Sequence, residues 1–243
     1  MPVEVRSVRV GRILMRSRIP GFDYAINHYV GCLHGCLYCY ARDYCSGEVA
    51  DRWGELVIVK RNADEVLRRE IARAKGRIAL STLTDPYQPI ERKLELTRRI
   101  LAIAASRLKV SVQTKSPLVL RDVDLLGDNV DVGITITTLD ERLAKKFEPS
   151  APKPRERVRT LERLAEEGVK TWVFYGPILG DDIEEVVEVA KATNSTLYFD
   201  KLRIKKRVPR EVAEVAKRDW KSVFRRITEL CERKGVRAKP AFG

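Results

Sequence analysis

The chain has 243 residues, of which 44% are hydrophobic and 33% charged, and its formal net charge is +13. A chain of this length can bury one sizeable core, which fits the size range of an α/β barrel. No apolar run approaches the roughly 20 residues that cross a bilayer, and no signal-peptide core is present at the N-terminus. We therefore expect a soluble, cytoplasmic protein without membrane contact.

The excess positive charge lies at the two ends of the chain. Residues 1–20 hold five Arg and one Glu, and residues 201–243 hold fifteen Lys or Arg against five Asp or Glu. This segregation predicts DNA or RNA as a partner, although solvated helix faces would carry the same charges. With two Gln and four Asn against many Lys, Arg and Glu, the composition is that expected of a thermophile.

The first predicted elements lead to a cysteine-rich segment. Residues 1–22 form an extended basic lead-in that ends in a turn at Pro20 and Gly21, and residues 26–30 have the pattern of a strand. The strand is followed at once by Cys32, Cys36 and Cys39 in C-x3-C-x2-C spacing. Three thiolates within eight residues are costly to hold together without a cation, so this segment, residues 31–39, predicts a metal site.

The residues alone leave two kinds of metal open. A zinc ion could take the three thiolates and either His28 or His34, and the protein would then be a non-enzymatic nucleic-acid-binding module. A [4Fe-4S] cluster held by three cysteines would instead keep one iron free to react. The presence of five cysteines, three of them clustered, argues against a disulfide scaffold in either case.

The cysteine segment carries a family resemblance. C-x3-C-x2-C with an aromatic residue, Tyr38, before the last cysteine resembles the signature of radical S-adenosylmethionine (SAM) enzymes. The longer pattern over residues 27–42, with Thr-Asp-Pro-Tyr-Gln-Pro at 84–89, is similar to the branch related to spore photoproduct lyase, often described as DNA repair photolyase-like.

The resemblance implies a cofactor set and a reaction. Cys32, Cys36 and Cys39 would bind three irons of a [4Fe-4S] cluster, and SAM would chelate the fourth. Reductive cleavage of SAM would yield a 5'-deoxyadenosyl radical that acts on a C–H bond of an unidentified substrate. A ferredoxin- or flavodoxin-like reductant is implied as a partner.

Beyond the cysteines, apolar runs alternate with helical patterns. Such alternation predicts a parallel sheet. Counting the first strand there are six barrel strands, and the resemblance implies a partial (β/α)6, TIM-like barrel over residues 23–200. The other barrel strands are predicted at 78–81, 110–114, 131–138, 169–175 and 195–199, a small strand at 56–60, and helices at 63–74, 92–108, 119–126, 155–167 and 182–192.

Residues 201–243 are predicted to extend the same domain. Apolar residues recur at helical spacing from 210 to 234, which predicts one long amphipathic helix with a basic outer face.

Further site residues are expected where strands end, because that edge of a β/α barrel carries the chemistry. By resemblance, Thr84, Lys115 and either Thr135 or Thr137 would contact the methionine and ribose parts of SAM. Simpler roles are a turn cap for Thr84, a solvated rim for Lys115 and β-propensity for the strand threonines. The predicted cofactor-binding residues are Tyr38, Thr84, Asp85, Lys115, Thr135, Thr137 and Gly176.

Two cysteine positions bear on the reaction. In the lyase a cysteine near the end of the second strand donates a hydrogen atom, and this chain has Ser81 to Asp85 there, with no cysteine between Cys45 and Cys231. True photoproduct lyase activity is therefore kept only as an alternative function. Cys45 is either a thiol that acts near the cluster or a loop cysteine without a function.

Overall fold

A computed structural model describes residues 3–203 and 208–241, and within these ranges the chain forms a mixed α/β fold. The main sheet has eight strands in the order β11-β10-β9-β8-β7-β6-β3-β2, numbered by chain position. The strands are β1 (Glu4–Val8), β2 (Leu14–Arg16), β3 (Tyr24–Ile26), β4 (Tyr29–Val30), β5 (Leu56–Lys60), β6 (Arg77–Leu80), β7 (Lys109–Thr114), β8 (Val130–Ile136), β9 (Lys170–Tyr175), β10 (Thr196–Phe199) and β11 (Ala238–Pro240).

The six strands from β3 to β10 in this sheet are parallel neighbours, which confirms the predicted partial barrel. The sheet is extended at both edges. β2 pairs antiparallel with β3, and β11 pairs parallel with β10. β2 and β11 therefore form the two opposite edges of the sheet.

The predicted first strand is divided between two sheets. β3 ends at Ile26, and β4 instead joins β1 and β5 in a three-stranded sheet with the order β1-β5-β4. The single strand predicted over 26–30 is wrong, because residues 27 and 28 turn the chain from one sheet to the other. This turn places the cysteine segment at the carboxyl-terminal edge of the barrel strands.

Helices fill the connections between the parallel strands. The predicted helices 155–167 and 182–192 are confirmed as α6 (Pro154–Glu166) and α7 (Ile183–Ala192). The helix predicted over 92–108 is divided at Glu95, whose φ is +50°. The segment predicted as a helix over 119–126 is a 3-10 turn, Pro117–Leu125. The helices are α1 (Gly47–Asp51), α2 (Ala63–Glu70), α3 (Glu91–Leu94), α4 (Leu96–Ala105), α5 (Glu141–Phe147), α6 (Pro154–Glu166), α7 (Ile183–Ala192), α8 (Arg210–Val215) and α9 (Trp220–Lys234).

The single long helix predicted over 210–234 is wrong. The chain breaks between α8 and α9, where the Asp219 carboxylate accepts a hydrogen bond from the Ser222 amide at 3.2 Å and begins the second helix. Val212 of α8 and Ile227 of α9 are both buried, but in different hydrophobic clusters. The helical spacing of apolar residues continues across the interruption between α8 and α9, so the sequence pattern does not indicate it.

Parts of the predicted basic C-terminal segment, residues 204–207 and 242–243, lie outside the described residues. In the ranges that are described, no helix has the length and apolar character that a bilayer span requires.

Gly133 in β8 leaves space for the side chain of Trp172 in β9. A Cβ at this position would overlap the Trp172 ring, which is fixed by a 2.9 Å hydrogen bond from its Nε1 to Asp131 Oδ1. We expect Gly133→Ala to lower the free energy of unfolding by about 1–3 kcal/mol through overpacking, measured by denaturant titration. Gly127→Ala is the control, since a Cβ there meets no atom within 4 Å. Equal stability of the two variants would contradict the expectation.

Candidate active site

The cysteine segment is a closely wound loop. Gly31 and Gly35 adopt φ values of +89° and +63°, and a Cβ at Gly31 would overlap the Leu56 carbonyl oxygen. The Gly35 amide donates to Cys32 O and the Cys39 amide to Cys36 O, each at 3.2 Å. One turn therefore follows Cys32 and a second turn links Cys36 to Cys39, so the backbone is compact around the three cysteines.

The three thiols lie in a buried environment and form no disulfide. Burial raises the pKa of Cys36 to about 12 and the pKa of Cys32 and Cys39 above the usual range. Hydrogen bonds from the backbone amides of Asp85 and His34 lower the pKa of Cys32, but burial outweighs them. Thiolates in this segment therefore need a cation, which is the chemistry of a metal or cluster site.

The donor set fits a cluster. Among the described residues, no three His, Cys, Asp or Glu side chains close around one point as the ligands of a single metal ion do. A cubane cluster does not require that arrangement, because each thiolate binds a different iron. Cys32, Cys36 and Cys39 are free thiols and so are available as ligands, and their predicted use by a cluster stays a prediction.

His28 is engaged by the protein. Its Nε2 lies 2.8 Å from Thr97 Oγ1, and its Nδ1 lies 3.5 Å from Ser81 Oγ. Burial, with a smaller effect of Lys60, lowers the pKa of His28 to about 3, so the ring is neutral. Because both ring nitrogens have protein partners, His28 does not serve as the fourth ligand of a zinc ion.

Thr84 holds the cysteine segment in place. Its hydroxyl donates to Gly31 O at 2.7 Å and accepts from Gln88 Nε2 at 2.9 Å. Gln88 Oε1 in turn accepts from the Leu33 amide at 2.9 Å. The loop after β6 thus braces the cysteine segment, and the SAM contact predicted for Thr84 stays a prediction.

Asp85 joins the loop after β6 to the end of β7. It accepts from Thr114 Oγ1 at 2.6 Å and from the Lys115 amide at 2.8 Å, and its Oδ2 lies 3.4 Å from His34 Nδ1. Burial favours the neutral acid, but His34 and these hydrogen bonds outweigh it and lower the pKa of Asp85 to about 2. Asp85 therefore fixes the backbone beside Lys115 instead of facing the open edge.

Glu148 and Arg157 belong to the site and were not predicted from the sequence. Glu148 accepts hydrogen bonds from the Tyr38 hydroxyl, from Thr137 Oγ1 at 3.0 Å and from the Arg157 guanidinium. Lys115 Nζ lies 3.8 Å from Glu148 Oε1 and 5.8 Å from the centre of the Tyr38 ring. Burial opposes ionisation of Glu148, but Arg157 and Lys115 outweigh it and lower its pKa.

A sequence signal for these two residues existed. Arg157 occupies the buried stripe of α6 together with Leu161 and Leu164, and it is 1% exposed. An arginine at a core position of an amphipathic helix requires a buried acid, and Glu148 is nine residues away. The Lys115 side chain, unlike that of Glu148, is partly accessible, with 14% of its surface exposed.

The other predicted residues lie at the same edge of the sheet. Thr135 Oγ1 accepts from Gln113 Nε2 at 3.0 Å, and the Leu179 amide donates to Thr137 O at 2.9 Å. A Cβ on Gly176 would lie 2.7 Å from Phe174 Cζ, so this glycine makes room for the Phe174 ring. The adenine contact predicted at Gly176 stays a prediction.

The basic C-terminal segment packs directly on the cysteine segment. Cys36, Tyr38, Leu179, Leu202 and Val212 are buried in one hydrophobic cluster. The guanidinium of Arg218 donates to the carbonyl oxygens of Leu179 and Gly180, each at 2.7 Å. Leu202, Val212 and Arg218 are therefore part of the wall around the predicted site.

Comparison with known proteins gives the class. The family model of the radical SAM superfamily matches residues 26–193, which include the cysteine segment and β6 to β9. The chain belongs to the radical SAM superfamily. This family implies a [4Fe-4S] cluster and SAM as cofactors, which speaks against the zinc-binding alternative.

Several relatives share much of the chain. An uncharacterized protein of Methanocaldococcus jannaschii is 36% identical over 207 residues, covering 84% of this chain and 79% of the relative. An uncharacterized protein of Acidianus two-tailed virus is 34% identical, covering 68% of this chain and 61% of the relative. One from Mycobacterium tuberculosis is 32% identical, covering 75% of this chain and 60% of the relative.

Solved structures share the fold. A spore photoproduct lyase mutant with bound AdoMet and dinucleoside spore photoproduct aligns with a TM-score of 0.71 and 14% identity, covering 98% of this chain and 81% of the lyase. SuiB of Streptococcus suis bound to S-adenosylmethionine aligns with a TM-score of 0.64 and 12% identity, covering 89% of this chain and 49% of SuiB. At these identities the likeness establishes the fold alone.

Proposed function

We propose that the protein cleaves SAM reductively at a [4Fe-4S] cluster bound by Cys32, Cys36 and Cys39 and directs the resulting radical at a C–H bond of its substrate. The main support for this proposal is the closely wound cysteine segment, which lies in the matched family region and is held by Thr84 at Gly31 and by Glu148 at Tyr38. When bound, the cluster and SAM supply the electron transfer and homolytic C–S cleavage that form the 5'-deoxyadenosyl radical.

Lys115 is proposed to bind the carboxylate of SAM. Its ammonium group shares Glu148 with Arg157, so one buried carboxylate faces two cations and positive charge is left over at the site edge. A charge-assisted hydrogen bond to an anionic group offsets that excess. The Thr135 hydroxyl accepts from Gln113 and is proposed to donate to the ribose of SAM. The hydroxyls of Thr84 and Thr137 already donate to Gly31 O and to Glu148, so these two residues are proposed to position the loops.

The test is an anaerobic reconstitution followed by metal analysis and turnover. The proposal expects about four irons per chain, absorbance near 400 nm, and 5'-deoxyadenosine after addition of dithionite and SAM. A ferredoxin- or flavodoxin-like protein is the proposed physiological reductant. Stoichiometric zinc with no visible absorbance and no cleavage of SAM would overturn the proposal.

Nucleic acid is the proposed substrate class, with contact through the C-terminal segment. Exposed Arg210 and Lys221 have no carboxylate within ion-pair distance in the part of the chain that the structure describes, whereas Arg6, Arg9 and Arg12 of the N-terminal segment each face a glutamate. Arg210 and Lys221 therefore leave uncompensated charge on the segment whose Leu202 and Val212 share a hydrophobic cluster with Cys36 and Tyr38. A phosphate backbone bound there would run beside the site.

We expect Arg210→Gln combined with Lys221→Gln to weaken binding of a single-stranded oligonucleotide and to lower its salt dependence. Each lost phosphate contact should reduce the slope of log K against log salt by about 0.7. Fluorescence anisotropy at several salt concentrations, with DNA and RNA of one sequence, measures this. Arg9→Gln with Arg12→Gln removes the same charge and is the control. A flat response to salt, or equal losses in both double variants, would contradict contact at the C-terminal segment.

A further inference from the structure

Residues 147–150 run alongside the cysteine segment. The Leu37 amide donates to Phe147 O at 2.9 Å, and the Ser150 amide donates to His34 O at 3.3 Å. Between these two backbone contacts, the Tyr38 hydroxyl donates to the Glu148 carboxylate. Two stretches separated by more than a hundred residues in sequence are thus joined at three successive points.

Arg157 holds the Glu148 carboxylate from the opposite side. Its guanidinium donates to Glu148, to Pro152 O at 2.8 Å and to Thr135 O at 3.3 Å. Glu148 and Arg157 are 2% and 1% exposed. The other Arg157 donors are also hydrogen-bonded. The position of this buried ion pair is therefore fixed, because a different arrangement would leave a buried charge without a partner.

We propose that Glu148, held by Arg157, is the positioning residue of the cysteine segment. Tyr38 lies between Cys36 and Cys39, so anchoring its hydroxyl fixes the turn that presents these two thiols. The inference rests on the proposed function, because the thiols are taken to bind the cluster. It assigns the Glu148–Arg157 pair to cluster retention, a role that stabilising α6 alone would not require.

Tyr38→Phe is the first test, because it removes one hydroxyl and leaves Glu148 bonded to Arg157 and Thr137. The reconstituted protein is challenged with an iron chelator, and the loss of absorbance near 400 nm is followed. Loss of a hydrogen bond to a charged partner predicts cluster release at least about tenfold faster than in the wild type. The melting temperature of the cluster-free protein is expected to fall by no more than about 4 °C, since only one hydrogen bond is lost.

The second test separates positioning from stability. Glu148→Gln alone would leave Arg157 buried without a counter-charge and threatens folding, so the variant used is Glu148→Leu with Arg157→Met. Replacing both members of a buried ion pair by apolar residues is often neutral for stability. We expect this double variant to stay folded and to lose its cluster as fast as Tyr38→Phe. Its melting temperature should fall only by the cost of leaving the Tyr38 and Thr137 hydroxyls without their acceptor. Glu162→Gln, on the exposed face of α6, is the control.

Electron paramagnetic resonance of the reduced cluster gives a readout besides turnover, since a displaced thiolate alters the spectrum. Wild-type cluster retention and spectrum in either Tyr38→Phe or the double variant would overturn the positioning role. If the wild-type protein itself takes up no cluster, the proposed function fails. The two failures are therefore distinguishable.

Discussion

Cys36→Ala is expected to abolish both cluster binding and SAM cleavage. Cys36 lies at the centre of the segment and is electrostatically coupled to Cys39, and it is buried against Tyr38 and Leu179. With one of three protein ligands removed, the cluster has no site for one of its irons. We expect iron content and absorbance near 400 nm to fall to background, and 5'-deoxyadenosine formation to fall by at least about a thousandfold.

The controls for this prediction are the two cysteines outside the segment. Cys231 is buried in the stripe of α9, and the Cys45 thiol donates to Ala41 O at 3.3 Å. Cys231→Ala and Cys45→Ala should therefore retain the iron. A Cys36→Ala protein that still formed 5'-deoxyadenosine would contradict the ligand assignment. Loss of the iron in Cys45→Ala would instead add Cys45 to the site.

Lys115→Met is expected to weaken SAM binding by about 10- to 150-fold, the range for a lost hydrogen bond to a charged group. The variant keeps the length of the side chain and removes only the ammonium group, whose nearest acid, Glu148, remains paired with Arg157. Equilibrium dialysis of labelled SAM against the cluster-loaded protein measures the change. Iron content should stay at the wild-type value.

Lys109→Met is the matched control for this measurement. Lys109 begins β7 and Lys115 follows its last residue, so the two lysines lie at opposite edges of the sheet. Lys109 is exposed, and its replacement should leave SAM binding unchanged. If both variants bind SAM with wild-type affinity, Lys115 does not contact the cofactor.

Much of the fold could be predicted from the sequence, because hydrophobic periodicity depends only on residues that are close together in the chain. Each barrel strand from β6 to β10 was predicted within about two residues, since each contains buried apolar residues and is bounded by turn residues. The failures occurred where tertiary contacts interrupt a continuous pattern. Residues 27 and 28 pass between two sheets, and α8 and α9 bury their apolar faces in different clusters.

The site shows the same division between local and distant information. The spacing of the three cysteines and Tyr38 is itself the family signature, so one stretch of sequence was enough to indicate the cluster and the family. Lys115 and the threonines could be placed at an edge of the sheet but not assigned partners, because a partner depends on which strand ends meet. Only the folded chain shows that Thr84 bonds Gly31.

By itself the sequence determined the class of protein, the cysteine ligands proposed for the cluster and the approximate bounds of the parallel strands. The tertiary structure decided that Glu148 and Arg157 belong to the site and that the C-terminal segment forms one of its walls. The physical reason is that a buried charge is stable only beside its counter-charge, and that partner is chosen by the packing of helices and strands far apart in the chain.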